Sequence, residues 1–115
     1  MMAPHELEGE WLAALPTQKK MLFLASLSHE LTIAGRSSYK PQTEELEKPS
    51  RLRRINEIQH RVASCLCQLI TGQMSFEKSI AHWVLQQDDE EFADLLSWSW
   101  EHAKERTAKW DQAAG

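Results

Sequence analysis

Residues 50–71 read SRLRRINEIQHRVASCLCQLIT and repeat their apolar side chains with the period of an α-helix. At 100° per residue these side chains fall within one broad stripe, made of Leu52, Ile55, Ile58, Val62, Leu66, Leu69 and Ile70. Glu57 and Ser64 point away from the stripe, and Gly72 directly follows it as a C-terminal stop. The stretch therefore predicts an amphipathic helix with one face in a core.

The remaining segments also favour helices, because β-branched residues are scattered and no period-2 alternation is sustained. Residues 37–50 are polar, hold two prolines and form the longest predicted connection. The other predicted helices are 4–15, which Pro16 stops, 18–34 between Thr17 and Gly35, 76–87 after Ser75, and a last helix from Asp88 or Asp89 to about Gln112. We expect one all-α domain over residues 1–115, a bundle of four main helices. Residues 1–16 add a short N-terminal helix or a loosely attached segment.

Composition sets the class of protein. The chain has 115 residues, 42% of them hydrophobic, which is enough for one core without disulfides or metals. It has no apolar run of membrane-spanning length, and its acidic N-terminus does not resemble a signal peptide. Two cysteines, Cys65 and Cys67, are too few for a disulfide framework. We therefore expect a cytoplasmic protein that has no membrane partner.

The helix at 18–34 has two faces that favour burial. Its main apolar face holds Phe23, Leu24, Leu27, Leu31 and Ala34. The opposite stripe mixes small, apolar and ionisable side chains, namely Leu22, Ala25, Ser26, His29, Thr32, Ile33 and Arg36. A helix with two such faces is usually covered on both. The cover is either another helix of the same chain or a second copy in a homo-oligomer, of which a dimer is the simplest form.

Five tryptophans in a chain of this length are many. Helical projection places Trp83, Trp100 and Trp110 toward the core and Trp98 nearly opposite the apolar face of the last helix. Tryptophan is enriched in the residues that dominate binding energy at interfaces. We therefore expect another surface to cover Trp98, either in this chain or in a partner.

Charge is divided along the chain. Residues 36–54 carry a net charge of +3 and residues 77–101 carry −6, whereas the whole chain carries −4. Arginines also crowd the first turns of the helix at 50–71, where the helix dipole disfavours cations. These cations are compensated by solvent, by acids of this chain at 44–47 or 77–101, or by an external anion such as an acidic partner. The predicted partner-binding residues are His29, Arg36, Arg51, Arg53, Arg54, Arg61 and Trp98.

The leading hypothesis is a small non-catalytic protein that binds another protein as an adaptor, regulator or inhibitor and requires no cofactor. No phosphate-binding loop, nucleophile elbow or catalytic triad pattern is present in the sequence. A first alternative is a metal-binding helical-bundle enzyme, since di-iron bundles use Glu-x-x-His pairs. Its ligands would be His29, Glu30, Glu57 and His60, although only one such pair exists. A second alternative is nucleic-acid binding through residues 36–54, which the net negative charge disfavours.

Overall fold

The computed structural model describes residues 3–37, 48–72, 77–87 and 89–114. In these ranges the chain forms five helices and no strand, which confirms the all-α prediction. The helices are α1 (Pro4–Ala14), α2 (Thr17–Ser37), α3 (Lys48–Thr71), α4 (Glu77–Leu85) and α5 (Glu90–Ala114). Across these ranges, none of the helices combines the length and the apolar character that a membrane span requires.

Helix α2 is the centre of the bundle, because it packs along α3 on one side and along α5 on the other. Gly35 near its end lies against Leu52 near the start of α3, so α2 and α3 run antiparallel. Gln59 of α3 donates hydrogen bonds to the Ser28 carbonyl and the Thr32 hydroxyl of α2 at 3.0 and 2.8 Å. These contacts hold the two helices in register.

Helices α2 and α5 run parallel. The rings of Phe23 and Trp100 meet edge to face with centroids 4.8 Å apart. About two turns further along both helices, Glu30 pairs with Arg106 at 2.9 Å. Helix α2 therefore lies between α3 and α5, whereas α1 packs chiefly on α4.

The buried core combines side chains from all five helices. The predicted main face of α2 is fully covered, and the stripe of α3 is confirmed except at Ile70, which is 66% exposed at the edge of the stripe and the end of the helix. Cys65 is buried and Cys67 is exposed. The buried apolar residues are Leu12, Phe23, Leu24, Leu27, Leu31, Ala34, Ile55, Ile58, Val62, Cys65, Ile80, Ala81, Val84, Phe92, Leu96, Trp100 and Ala103.

The burial of the tryptophans differs from the prediction at one position. Trp100 is fully buried and Trp83 is half-buried against the core. The prediction was wrong for Trp110, which is 59% exposed. Residues 108–110 are all exposed, whereas Thr107 before them is buried. Trp98 is 45% exposed, so this chain covers it only in part.

The helix ends follow local chemistry in two cases and tertiary packing in a third. Gly72 has φ of 75°, the left-handed conformation predicted for the end of α3. The Asp89 carboxylate accepts hydrogen bonds from the backbone N–H groups of Glu91 and Phe92, so Asp89 is the cap of α5. The prediction that Gly35 ends α2 was wrong, because the helix continues to Ser37 while Leu52 packs on that turn. Ser75 and Asp88 lie outside the described residues.

Candidate protein-binding surface

The exposed side of α3 carries three of the seven predicted partner-binding residues, Arg53, Arg54 and Arg61. Ile55, Ile58 and Val62 anchor the opposite side of this helix in the core. The residues on the side of the helix opposite these three therefore project into solvent. We define the α3 basic face as Arg53, Arg54, Glu57, His60 and Arg61, all of which are exposed.

The arginines of this face have no carboxylate partner among the described residues. Arg54 donates a hydrogen bond of 2.9 Å to the side-chain oxygen of Gln87, which is a neutral amide. The Arg61 guanidinium lies over the Trp83 ring, 4.1 Å from its centroid. Arg53 makes no such contact within the described ranges. All three positive charges therefore remain unneutralised by this part of the chain.

The surface around these arginines is open. A groove of about 230 Å³ separates α3 from α4, with Arg54, Arg61, His82 and Trp83 among its walls. A second depression runs along α3 past Leu52, Arg53 and His60. An acidic side chain can therefore approach each guanidinium without any rearrangement of the bundle.

A second surface, on α5, carries the opposite charge. We define the α5 acidic stripe as Glu90, Asp94, Trp98, Glu101 and Glu105, which share one exposed side of the helix. The Trp98 ring packs on His102 with centroids 3.9 Å apart. The four carboxylates of the stripe take part in no ion pair within the described part of the chain. Trp98 is thus an exposed aromatic side chain flanked by acids that have no ion-pair partner among the described residues.

The other predicted partner-binding residues are only partly placed. His29 is exposed on α2, between Ser28, which faces α3, and Glu30, which faces α5. Arg36 and Arg51 belong to α2 and α3, but their side chains lie outside the described residues. Because α2 separates α3 from α5, the structure does not bring Trp98 together with the arginines of α3.

The residues of the metal alternative are divided between surfaces. Glu30 is buried and pairs with Arg106 of α5. Glu57 and His60 are exposed on α3, whose contact with α2 is made by Gln59 instead. In the ranges that the structure describes, no three His, Cys, Asp or Glu side chains converge as metal ligands.

Several contacts that position the candidate residues join helices distant in sequence, and the sequence patterns did not predict them. Trp83 contacts Arg61 and Gln87 contacts Arg54, and the sequence predicts neither pair. Glu8 of α1 was not singled out, yet its carboxylate accepts from the Trp100 indole N–H at 3.1 Å. No sequence signal links such pairs, because they lie 22 to 92 residues apart.

Comparisons with protein-family models, with curated proteins and with solved structures found no match to this chain. The functional conclusion therefore depends on the geometry of the two charged surfaces.

Proposed function

We propose that this chain is a non-catalytic, cytoplasmic protein-binding module, an adaptor, regulator or inhibitor, whose α3 basic face docks on an acidic surface of another protein. The observation that carries the proposal is the set of three exposed arginines on one side of α3, none of which has a carboxylate partner among the described residues. Arginine is enriched at the centres of protein interfaces, where its planar guanidinium binds carboxylates in a bidentate manner.

The scaffold favours such binding, because two of the arginines are already held. Arg54 is fixed by Gln87 and Arg61 by the face of Trp83, and neither contact consumes the positive charge. A side chain that is ordered before binding loses less conformational entropy when a partner arrives. Clustered charge of one sign also accelerates the encounter with an oppositely charged surface.

Arg53 offers the cleanest test, because its exposed side chain makes no hydrogen bond, ion pair or ring contact with other described residues and its replacement should not disturb the fold. Lys109 is also exposed and provides a matched control with the same change of charge. The probe is a fluorescently labelled, Glu-rich peptide with one tryptophan, and its binding is followed by anisotropy. We expect R53E to weaken binding at least about fivefold and K109E to change it less than about twofold.

Salt and a competing polyanion complete the test. Binding should weaken between about 0.01 M and about 1 M salt, as the Debye length falls from about 30 Å to about 3 Å. An equal loss of peptide affinity in R53E and K109E would contradict a specific role for α3. Tighter binding of a DNA duplex than of the peptide would favour nucleic acid as the ligand and overturn the proposal.

A further inference from the structure

The α3 basic face and the α5 acidic stripe are complementary in charge and in spacing. Arg54 and Arg61 lie seven residues apart on α3, and Asp94 and Glu101 lie seven residues apart on α5. With a rise of 1.5 Å per residue, each pair spans about 10.5 Å along its helix. Two helices laid side by side can therefore match both charges of one pair with both charges of the other.

The two surfaces do not meet within one chain. Helix α2 packs against α3 on one side and α5 on the other, and α3 and α5 share no extended contact among the described residues. The acids of the stripe have no ion-pair partner there, and neither do the arginines of the basic face. The described part of the chain therefore leaves both charge sets available to another molecule.

We propose that the α5 acidic stripe docks on the α3 basic face of a second copy of this chain. The inference rests on the proposed function, since it names the acidic surface that the α3 basic face binds. In this contact Arg54 and Arg61 pair with Asp94 and Glu101 of the other copy.

Trp98 and Glu57 occupy matching places in the two surfaces. Trp98 lies between Asp94 and Glu101, and Glu57 lies between Arg54 and Arg61. The indole N–H of Trp98 is a donor and the Glu57 carboxylate is an acceptor, so they can form a hydrogen bond across the contact. This pairing gives a role to the single acid of the basic face and to the exposed tryptophan of the acidic stripe.

The contact is heterologous, because one surface differs from the other. Two copies that exchange it across a two-fold axis form a closed dimer, whereas a head-to-tail arrangement forms an open chain. Sedimentation equilibrium of the full chain distinguishes these arrangements by mass, and either of them supports the proposal.

Reciprocal charge reversal provides the decisive experiment. The first variant carries R54E and R61E, and the second carries D94R and E101R. Each variant alone presents like charges on both surfaces and should sediment as a monomer under conditions where the wild type associates. An equimolar mixture restores opposite charges at every contact and should associate again.

Two controls protect the experiment against misfolding. Circular dichroism melting of each variant shows whether it folds, since Arg54 and Arg61 also contact Gln87 and Trp83. If the first variant is unfolded, D94R/E101R alone carries the test and should still sediment as a monomer, because neither Asp94 nor Glu101 has an ion-pair partner among the described residues.

The outcomes separate this inference from the proposed function. A wild type that stays monomeric at every concentration in low salt overturns self-association, as does association that the reversals leave unchanged. The D94R/E101R chain keeps its α3 basic face free, so it should still bind the Glu-rich peptide. Peptide binding without self-association would leave the proposed function standing and overturn only the choice of partner.

Discussion

The guanidinium of Arg61 lies over the ring of Trp83, 4.1 Å from the ring centroid. A cation over an exposed aromatic ring gains about 0.5–1 kcal/mol and keeps its charge. The contact joins α3 to α4 and fixes the direction of one positive charge on the α3 basic face. An arginine held by an aromatic ring remains available to a carboxylate of another molecule, whereas one held by an internal carboxylate does not.

Replacing Trp98 by alanine should weaken association without unfolding the protein. Trp98 is exposed, so we expect the free energy of unfolding to change by less than about 0.5 kcal/mol. Self-association should weaken roughly tenfold or more, because interface tryptophans contribute strongly. Trp100→Ala is the contrasting variant, since loss of this buried ring should cost about 3–5 kcal/mol. A comparable loss of stability in urea for both variants would show that Trp98 belongs to the core.

The attachment of α1 should depend on Glu8. Its carboxylate accepts from the Trp100 indole N–H at 3.1 Å and from the Lys104 ammonium at 3.0 Å. Glu8→Ala leaves the indole N–H without its partner, so we expect a loss of about 1–3 kcal/mol in urea unfolding. Glu6→Ala is the control, because Glu6 is exposed on the same helix. Equal effects at the two positions would show that the Glu8 contacts contribute nothing.

Two helical glycines should respond oppositely to alanine. A Cβ at Gly9 would lie 3.2 Å from the Lys78 Cα of α4, and a backbone atom cannot move aside alone. At Gly35 the nearest atom is Leu52 Cδ2 at 3.6 Å, an ordinary contact. We expect Gly9→Ala to lower the melting temperature and Gly35→Ala to stabilise the fold by about 0.4–1 kcal/mol through the unfolded state. Stabilisation by both substitutions would mean that α1 packs less closely on α4 than described.

The Lys78 ammonium should titrate later than an ordinary lysine. Its hydrogen bond with Glu10, at 2.8 Å, and the charge of that carboxylate raise the pKa of Lys78 above 10.5. Since the folded pKa is the higher one, this pair stabilises the fold fully below pH 10.5, and the contribution disappears as the pH rises through the folded value. Glu10→Gln should return the pKa of Lys78 toward 10.5, as followed by NMR of the lysine side chain. An identical titration in both proteins would contradict the contact.

The sequence predicted the fold where one periodic pattern dominates. The stripe of α3 and the main face of α2 specify their buried sides from spacing alone, and Gly72 and Asp89 end or begin helices through local chemistry. Gly35 shows the limit, because packing by Leu52 outweighs the local tendency of glycine to end a helix. Trp110 shows another limit, since the phase of a helix does not reveal how far along the helix its apolar face is covered.

The candidate site was predictable in composition but not in arrangement. Clustered arginines and an outward Trp98 can be read from the sequence. Two features of the site depend on how distant helices pack. Gln87 and Trp83 contact Arg54 and Arg61, and α2 separates these arginines from Trp98. The charges of α3 and α5 are complementary, and they point to contact with another molecule only because the two helices lie apart in the fold.

Amide NMR shifts of the isotope-labelled full chain, compared between dilute and concentrated samples at low and high salt, test the docking surface most directly. We predict that concentration shifts the amides of residues 52–61 on α3 and 90–105 on α5, and that high salt reverses these shifts. Addition of the Glu-rich peptide to the D94R/E101R chain should shift the α3 amides alone. Peptide-induced shifts on the exposed side of α2 around His29, or no shifts on α3, would contradict the assignment of α3 as the docking surface.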